Sequence, residues 1–207
     1  MRTDILSTKQ VVILELLNKM EFVTDFYLAG GTALALQYGH RESVDFDFFA
    51  ENPFSTDAIF RELSKNEPIT LNFKSETTLG VLIKGVTCTF FLYQYPILER
   101  FVNFSPQIKL TAIPDLAAMK VAAISDRGKK RDFIDLYFIC QTDHSLKEVV
   151  EFYQKKYEVF NQDLYHIYKS LIYFDDAEPD SIPVMYEETD WDEIKSYFIK
   201  EVTKLME

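Results

Sequence analysis

Two cysteines, Cys88 and Cys140, and three histidines are all that 207 residues provide. Two thiols so far apart in sequence make no disulfide framework, and the His and Cys positions show no zinc-ligand spacing. No apolar run approaches the length of a membrane span, and the start, Met-Arg-Thr-Asp-Ile-Leu-Ser-Thr-Lys, lacks the apolar core of a secretion signal. Internal repeats and low-complexity tracts are absent. Positive charge is also short, with 22 Lys and Arg against 33 Asp and Glu, a net charge of -11. The averaged field repels phosphate backbones and anionic membranes, so any nucleic acid must be met by a local basic patch. These absences point to a cytoplasmic protein with no membrane partner.

What is abundant is material for a core: 47% hydrophobic residues, with eighteen Phe and twelve Tyr. The length suits one large domain or two small ones packed together. The pattern favours a mixed α/β domain over residues 1–110 and a helical domain over 111–207 that completes a cleft. In the first half, an amphipathic helix from Lys9 to Met20 precedes a short buried strand, Phe26 to Ala29. Gly30-Gly31 then makes a turn, Thr32 is placed to cap a helix, and Ala33 to Tyr38 continues it. Ser43 to Phe49 alternates as a strand, and Ser55 or Thr56 can start a helix bearing Ile59, Phe60 and Leu63. Three β-rich runs follow: Ile69 to Lys74, Leu79 to Lys84, and Val86 to Tyr93, with Gly85 at a hairpin spacing. Beyond Ile113 the spacing turns helical. Helices are expected from Pro114 to about Gly128, Arg131 to Cys140, Ser145 onward with a Ser145–Glu148 capping box, Asp163 to Tyr173, and Trp191 to Met206. The acidic stretch Asp175 to Asp190, with Pro179 and Pro183, reads as a loop.

Chemistry concentrates in the first half. Strand alternation puts Asp45 and Asp47 on one face, where two carboxylates can share a hard cation such as Mg2+ or Mn2+. Taken alone, such a pair reads as a solvated strand face. Just upstream, Gly30, Gly31 and Thr32 form a strand-to-helix turn whose bare amides can approach a triphosphate, although a glycine turn also serves a simple positive-φ bend. Arg41 and Ser43 can orient this loop. In the second half, Lys120 and Arg127 lie seven apart on one helix face and can present two cations to phosphate or stand as solvated charges. Asp132 and Asp135 lie three apart on the next helix, where either could take a proton or orient a nucleophile, or Asp135 could simply pair with Arg131. Lys129, Lys130 and Arg131 extend a short basic cluster able to guide an RNA end.

Gly30-Gly31-Thr32-x-Leu34 followed by His40-Arg41-x-Ser43-x-Asp45-x-Asp47 resembles the first motif of the AbiEii/AbiGii-type nucleotidyltransferase toxins. That family belongs to the DNA polymerase β-like nucleotidyltransferase superfamily. Lys120-x-x-Ala123-x-x-x-Arg127 and Arg131-Asp132-x-x-Asp135-Leu136 match its later motifs in the same order. The resemblance spans about Tyr27 to Tyr137. It implies that Gly30, Gly31, Thr32, Ser43, Lys120 and Arg127 bind a nucleoside triphosphate, and that Asp45 and Asp47 hold the metal. It also implies Asp45, Asp47, Lys120, Asp132 and Asp135 as the catalytic set, Asp132 or Asp135 taking the base-like role and Asp135 alternatively a structural one.

On that resemblance the chain is expected to move a nucleoside monophosphate to an acceptor hydroxyl, on RNA such as a tRNA end or on a protein. It would be one component of a toxin–antitoxin or abortive-infection system, with a cognate antitoxin as partner. One departure stands out. The superfamily's third carboxylate would fall in Val86 to Phe91, where alternation offers Thr87 and Thr89, which cannot ionise. Either one metal suffices, Asp132 or Asp135 substitutes, or transfer is lost and the chain is a non-catalytic nucleotide- or partner-binding module.

Overall fold

In the computed structural model, which describes residues 1–159 and 164–207, the chain divides into two compact units. One comprises 1–95 with 100–111, the other 96–99 with 112–207.

The first unit is built on a mixed sheet. Helix α1 (Thr8–Leu17) opens it, capped by Ser7, whose side chain and that of Gln10 satisfy each other's main-chain amides. Strand β1 (Tyr27–Ala29) runs into α2 (Gly30–Tyr38), and β2 (Phe46–Ala50) returns antiparallel to β1. Helix α3 (Thr56–Asn66), with Ser55 as its cap, leads to β3 (Ile69–Lys74), β4 (Thr78–Ile83) and β5 (Val86–Leu92). Lys84 and Gly85 both take positive φ, 51° and 86°, which lets a two-residue turn match the twist of β4 and β5. Two short strands, β6 (Val102–Asn103) and β7 (Lys109–Leu110), complete the order β3-β4-β5-β2-β1-β7-β6. β2 pairs parallel with β5, and β1 parallel with β7, so the strand carrying Asp47 is central. On one face, Phe46, Phe48 and Phe90 are fully buried, with the Phe48 and Phe90 rings stacked at 5.3 Å. On the other, Phe49 stacks between Tyr27 and Phe91 of the flanking strands at 5.9 and 5.0 Å. These aromatic rows fix register, because a one-residue slip would turn every ring to the wrong side.

The second unit is helical: α4 (Ile113–Arg127), α5 (Lys130–Thr142), α6 (Leu146–Tyr157), α7 (Leu164–Leu171) and α8 (Trp191–Met206). Pro114 sits in the first turn of α4, and Gly128, at φ 54°, ends it in the left-handed conformation. The Ser145–Glu148 capping box starts α6. α4 packs against α5, α6 and α7, and α8 closes on α5, α6 and α7. The expected start of α7 at Asp163 lies outside the described residues; the helix is seen from Leu164 and ends at Leu171, two residues before the expected Tyr173. The acidic loop before α8 is anchored to the helices. Asp180 accepts the Lys130 amide at 3.2 Å, and Phe133 packs against Phe174, Trp191 and Phe198.

A fully buried ion pair lies inside this unit. Lys156 Nζ of α6 reaches Asp115 Oδ1 of α4 at 2.7 Å and donates to the Pro96 carbonyl at 2.9 Å. Asp115 also accepts the main-chain amides of Leu98 and Glu99. The segment 96–99 is thereby strapped to the helices by charge-assisted hydrogen bonds.

The mixed sheet domain followed by a mainly helical half is the architecture expected from the sequence. No helix among the described residues is long and apolar enough to cross a membrane.

Candidate active site

Gly30 is the first residue of α2 and takes φ 67°, a conformation costly for a residue with a side chain. A Cβ placed on it would lie 2.7 Å from Asp47 Oδ2, and one on Gly31 would lie 2.5 Å from Arg41 Nη2 and 3.2 Å from Ser43 Oγ. Gly30 is held to glycine by its positive φ and the Asp47 carboxylate together, whereas a side chain at Gly31 would push the Arg41 guanidinium and the Ser43 hydroxyl away. The capping role expected of Thr32 is not what the side chain does. The cap position is Ala29, which offers no side-chain acceptor. Thr32 is buried two residues inside the helix, where its hydroxyl donates to the Asp45 carbonyl and lies 2.8 Å from Ser43 Oγ. The amides at the start of α2 thus have no side-chain cap, and that end of the helix favours anions.

Strand β2 begins at Phe46, so Asp45 stands one residue before it and Asp47 within it. Both are half-buried, while Phe46 and Phe48 between and beyond them are buried on the opposite face. Asp47 is in register with Ala29 on one side and Thr89 on the other. Thr89 is buried, and beyond it lies Gly80, whose bare Cα is covered by the Phe73 ring. The negative field of the pair reaches Cys88: burial raises its thiol pKa, and the Asp45 and Asp47 charges push it further.

Among the described residues no group of three or more His, Cys, Asp or Glu side chains could hold a metal by itself. Two carboxylates beside the uncapped start of a helix nevertheless suit a hard cation that takes its remaining ligands from phosphate and water. The oxygen donors of Asp45 and Asp47 are of the kind that suits magnesium.

In the helical unit, the geometry around the later motifs is tight. Lys120 is buried, and its ammonium lies 2.8 Å from Asp132 Oδ1 and 2.6 Å from Asp135 Oδ2, both carboxylates fully buried. Arg127, about half exposed, also binds Asp132 through Nε at 2.9 Å and Nη2 at 3.2 Å. Burial alone would raise the Asp132 carboxyl, but the Lys120 charge and the Arg127 hydrogen bond outweigh it and hold the pKa below its ordinary value. A carboxylate so stabilised is a weak proton acceptor and a strong anchor. Lys120 is not a solvated surface charge, and Asp135 faces Lys120 while Arg131 is exposed. The basic cluster is partly neutralised: Lys129 Nζ lies 3.4 Å from Asp180, and Lys130 is buried against the Glu178 carbonyl and the Trp191 ring.

The family model for the nucleotidyl transferase AbiEii toxin of type IV toxin–antitoxin systems matches residues 13–87 and 91–204. The chain belongs to the AbiEii nucleotidyltransferase toxin family. By that membership it is of the nucleotidyltransferase enzyme class. An uncharacterized protein of Aquifex aeolicus is 39% identical over 208 residues, covering 98% of each chain. Among solved structures, a protein of H. pylori assigned as a nucleotidyltransferase superposes with a TM-score of 0.55 at 19% identity, covering 97% of this chain and 96% of the other. MenT4, a nucleotidyltransferase toxin from Mycobacterium tuberculosis, gives 0.58 at 15% identity over 93% and 83%. At these identities the two structures share the fold with this AbiEii-family chain. Arg41 holds the loop before Asp45, as its place in the motif suggested, and Gln10, which precedes the matched stretch that begins at residue 13, braces the same loop. Gln10 gave no functional signal in sequence because a glutamine in a first helical turn reads as a cap.

Proposed function

We propose that this AbiEii-family nucleotidyltransferase binds a nucleoside triphosphate on Gly30, Gly31, Thr32 and Ser43 and transfers its monophosphate to an acceptor hydroxyl. The observation that supports this reading is the approach of the Asp47 carboxylate to the bare Cα of Gly30. It joins an anion-favouring helix start to a pair of metal-binding oxygens within one strand–helix–strand unit. Asp45 and Asp47 would hold magnesium or manganese, which when bound offsets negative charge on the phosphate oxygens. The α2 amides orient the triphosphate, so that pyrophosphate leaves as the acceptor oxygen attacks the α-phosphorus. Lys120 and Arg127 are proposed to neutralise nucleotide phosphate, a role carried by their motif. Asp132 and Asp135 are proposed to hold the Lys120 ammonium in place. The acceptor is proposed to be an RNA end, such as that of a tRNA, or a protein hydroxyl. The protein would act in the cytoplasm opposite a cognate antitoxin.

Incubation with labelled nucleoside triphosphates and total RNA should yield labelled acceptor, and Asp45→Ala or Asp47→Ala should abolish it. Undiminished labelling in either variant would sink this mechanism. A second reading is favoured by Thr89 standing in register with Asp47, where a third carboxylate would complete a two-metal site. The Gly30–Asp47 unit would then bind nucleotide without transferring it. Calorimetry showing magnesium-dependent binding without turnover across RNA and protein acceptors would select that reading.

A further inference from the structure

The main chain just before β2 is held from the side. Residues 42–45 lie in no helix or strand, so the loop that delivers Asp45 has no ladder to stiffen it. Three of its carbonyls are instead bound by side chains: Arg41 Nη1 donates to Glu42 O at 2.8 Å, Gln10 Nε2 to Ser43 O at 2.7 Å, and the Thr32 hydroxyl to Asp45 O. Arg41 and Thr32 are local to the motif. Gln10 comes from α1, outside the stretch matched by the family model.

Gln10 is 1% exposed, and a buried amide must place both ends on partners. Its carbonyl oxygen accepts the Ser7 amide at 3.0 Å and the Ser7 hydroxyl at 2.9 Å, closing the capping box. Its NH2 group is left to reach across to Ser43. A Gln is needed for both tasks; the Glu often found at this capping position has the oxygen but not the donor. We propose that Gln10 is a positioning residue that sets the Ser43–Asp45 loop, and with it the Asp45 carboxylate, for the metal-bound triphosphate. This rests on the nucleotide reading given above. The cap makes the donor stiff: the side chain is pinned at its oxygen, so the amide nitrogen arrives at Ser43 pre-oriented.

The test compares whole-protein variants. Gln10→Glu keeps the cap and removes the donor, and Gln10→Leu keeps the volume and removes both ends. Ser7→Ala weakens the cap while keeping the donor. Loss of one hydrogen bond to the loop should raise the magnesium concentration giving half-maximal nucleotide transfer by about tenfold in both Gln10 variants, with kcat at saturating magnesium within about threefold. Ser7→Ala, which keeps the donor and the main-chain half of the cap, should lower the melting temperature and shift the magnesium response less than either Gln10 variant. A folded Gln10→Glu with a wild-type magnesium response overturns the proposal, as does a Ser7→Ala shift equal to that of the Gln10 variants. If neither Gln10 variant folds, amide exchange in the wild type decides. Magnesium with a non-hydrolysable triphosphate should slow exchange at 43–45 and at 7–10 together, and protection confined to 43–45 overturns the proposal. A wild type that binds no nucleotide overturns the functional reading and this proposal with it, a result distinct from normal binding that ignores Gln10.

Discussion

Asp47 and Thr89 are direct register partners on the adjacent parallel strands β2 and β5. A carboxylate-bearing residue thus has a hydroxyl-bearing one beside it. If the Asp45 and Asp47 pair is sufficient, Thr89→Val, close in shape and suited to a strand, should leave nucleotide transfer within about threefold of wild type. Asp47→Asn should reduce it by at least about a hundredfold. Steady-state transfer assays on the two variants decide this, and a Thr89→Val enzyme as impaired as Asp47→Asn would give the hydroxyl a role in the chemistry.

Gly30→Ala should be harmful twice over. The positive φ costs about 1–2 kcal/mol for a residue with a Cβ, and the new methyl meets Asp47 Oδ2 at 2.7 Å. Denaturant unfolding should show the stability loss, and calorimetry should show weaker magnesium-dependent nucleotide binding. Normal nucleotide binding in this variant would argue against Asp47 as a metal ligand.

Lys120 neutralises two buried carboxylates, so Lys120→Met strands both. Removing one partner of a buried ion pair typically costs about 3–5 kcal/mol, which urea unfolding near neutral pH would report. Acid should act through the same cluster. Because the folded-state pKa of Asp132 is depressed from 3.8, its contribution to stability is fully present above that value. It is lost as the pH falls through the lower folded value. Asp132→Asn should therefore flatten the acid limb of the stability curve below about pH 4. A variant with the wild-type acid slope would show that the cluster is not the acid-sensitive element.

Lys156→Met should lower stability by about 3–5 kcal/mol by leaving Asp115 charged and buried. Nucleotide affinity per folded molecule should not change, since neither residue belongs to the proposed binding set. Chemical unfolding paired with calorimetry separates the two effects, and a large affinity loss at full folding would contradict this assignment.

Both thiols should resist alkylation in the folded protein. Burial lifts the Cys140 thiol to about 12 and raises Cys88 as well, so little thiolate is present at pH 8. Iodoacetamide labelling followed by mass spectrometry should be slow until denaturant is added. Rapid labelling at Cys88 in the native state would mean that β5 opens locally.

Much of this architecture is written in local signals. The Gly85 hairpin, the Ser145–Glu148 box and the α8 limits follow from turn chemistry and helical spacing, which act within a few residues. The strand–turn–helix motif with its two aspartates was legible for the same reason. What escaped depends on distance along the chain. β6 and β7 are two residues each, too short for any alternation to register. Thr32 looked like a cap because its preceding glycines look like a helix start, whereas the fold begins the helix at Gly30 and spends the hydroxyl on Asp45. Lys120 read as a phosphate-binding or solvated charge, with its burial between carboxylates hidden, because its partners are twelve and fifteen residues away on α5, and Lys156 gave no sign of Asp115 forty-one positions earlier.

The strap at 96–99 bears on how such a chain can be divided. Because Asp115 takes amides from Leu98 and Glu99, and Lys156 takes the Pro96 carbonyl, the helical bundle owns four residues encoded within the sheet's stretch of sequence. No single cut yields two self-sufficient pieces: severing after Thr111 would leave a buried carboxylate and a buried ammonium without their main-chain partners. Any division of the chain must therefore keep 96–99 with the helices that bind them.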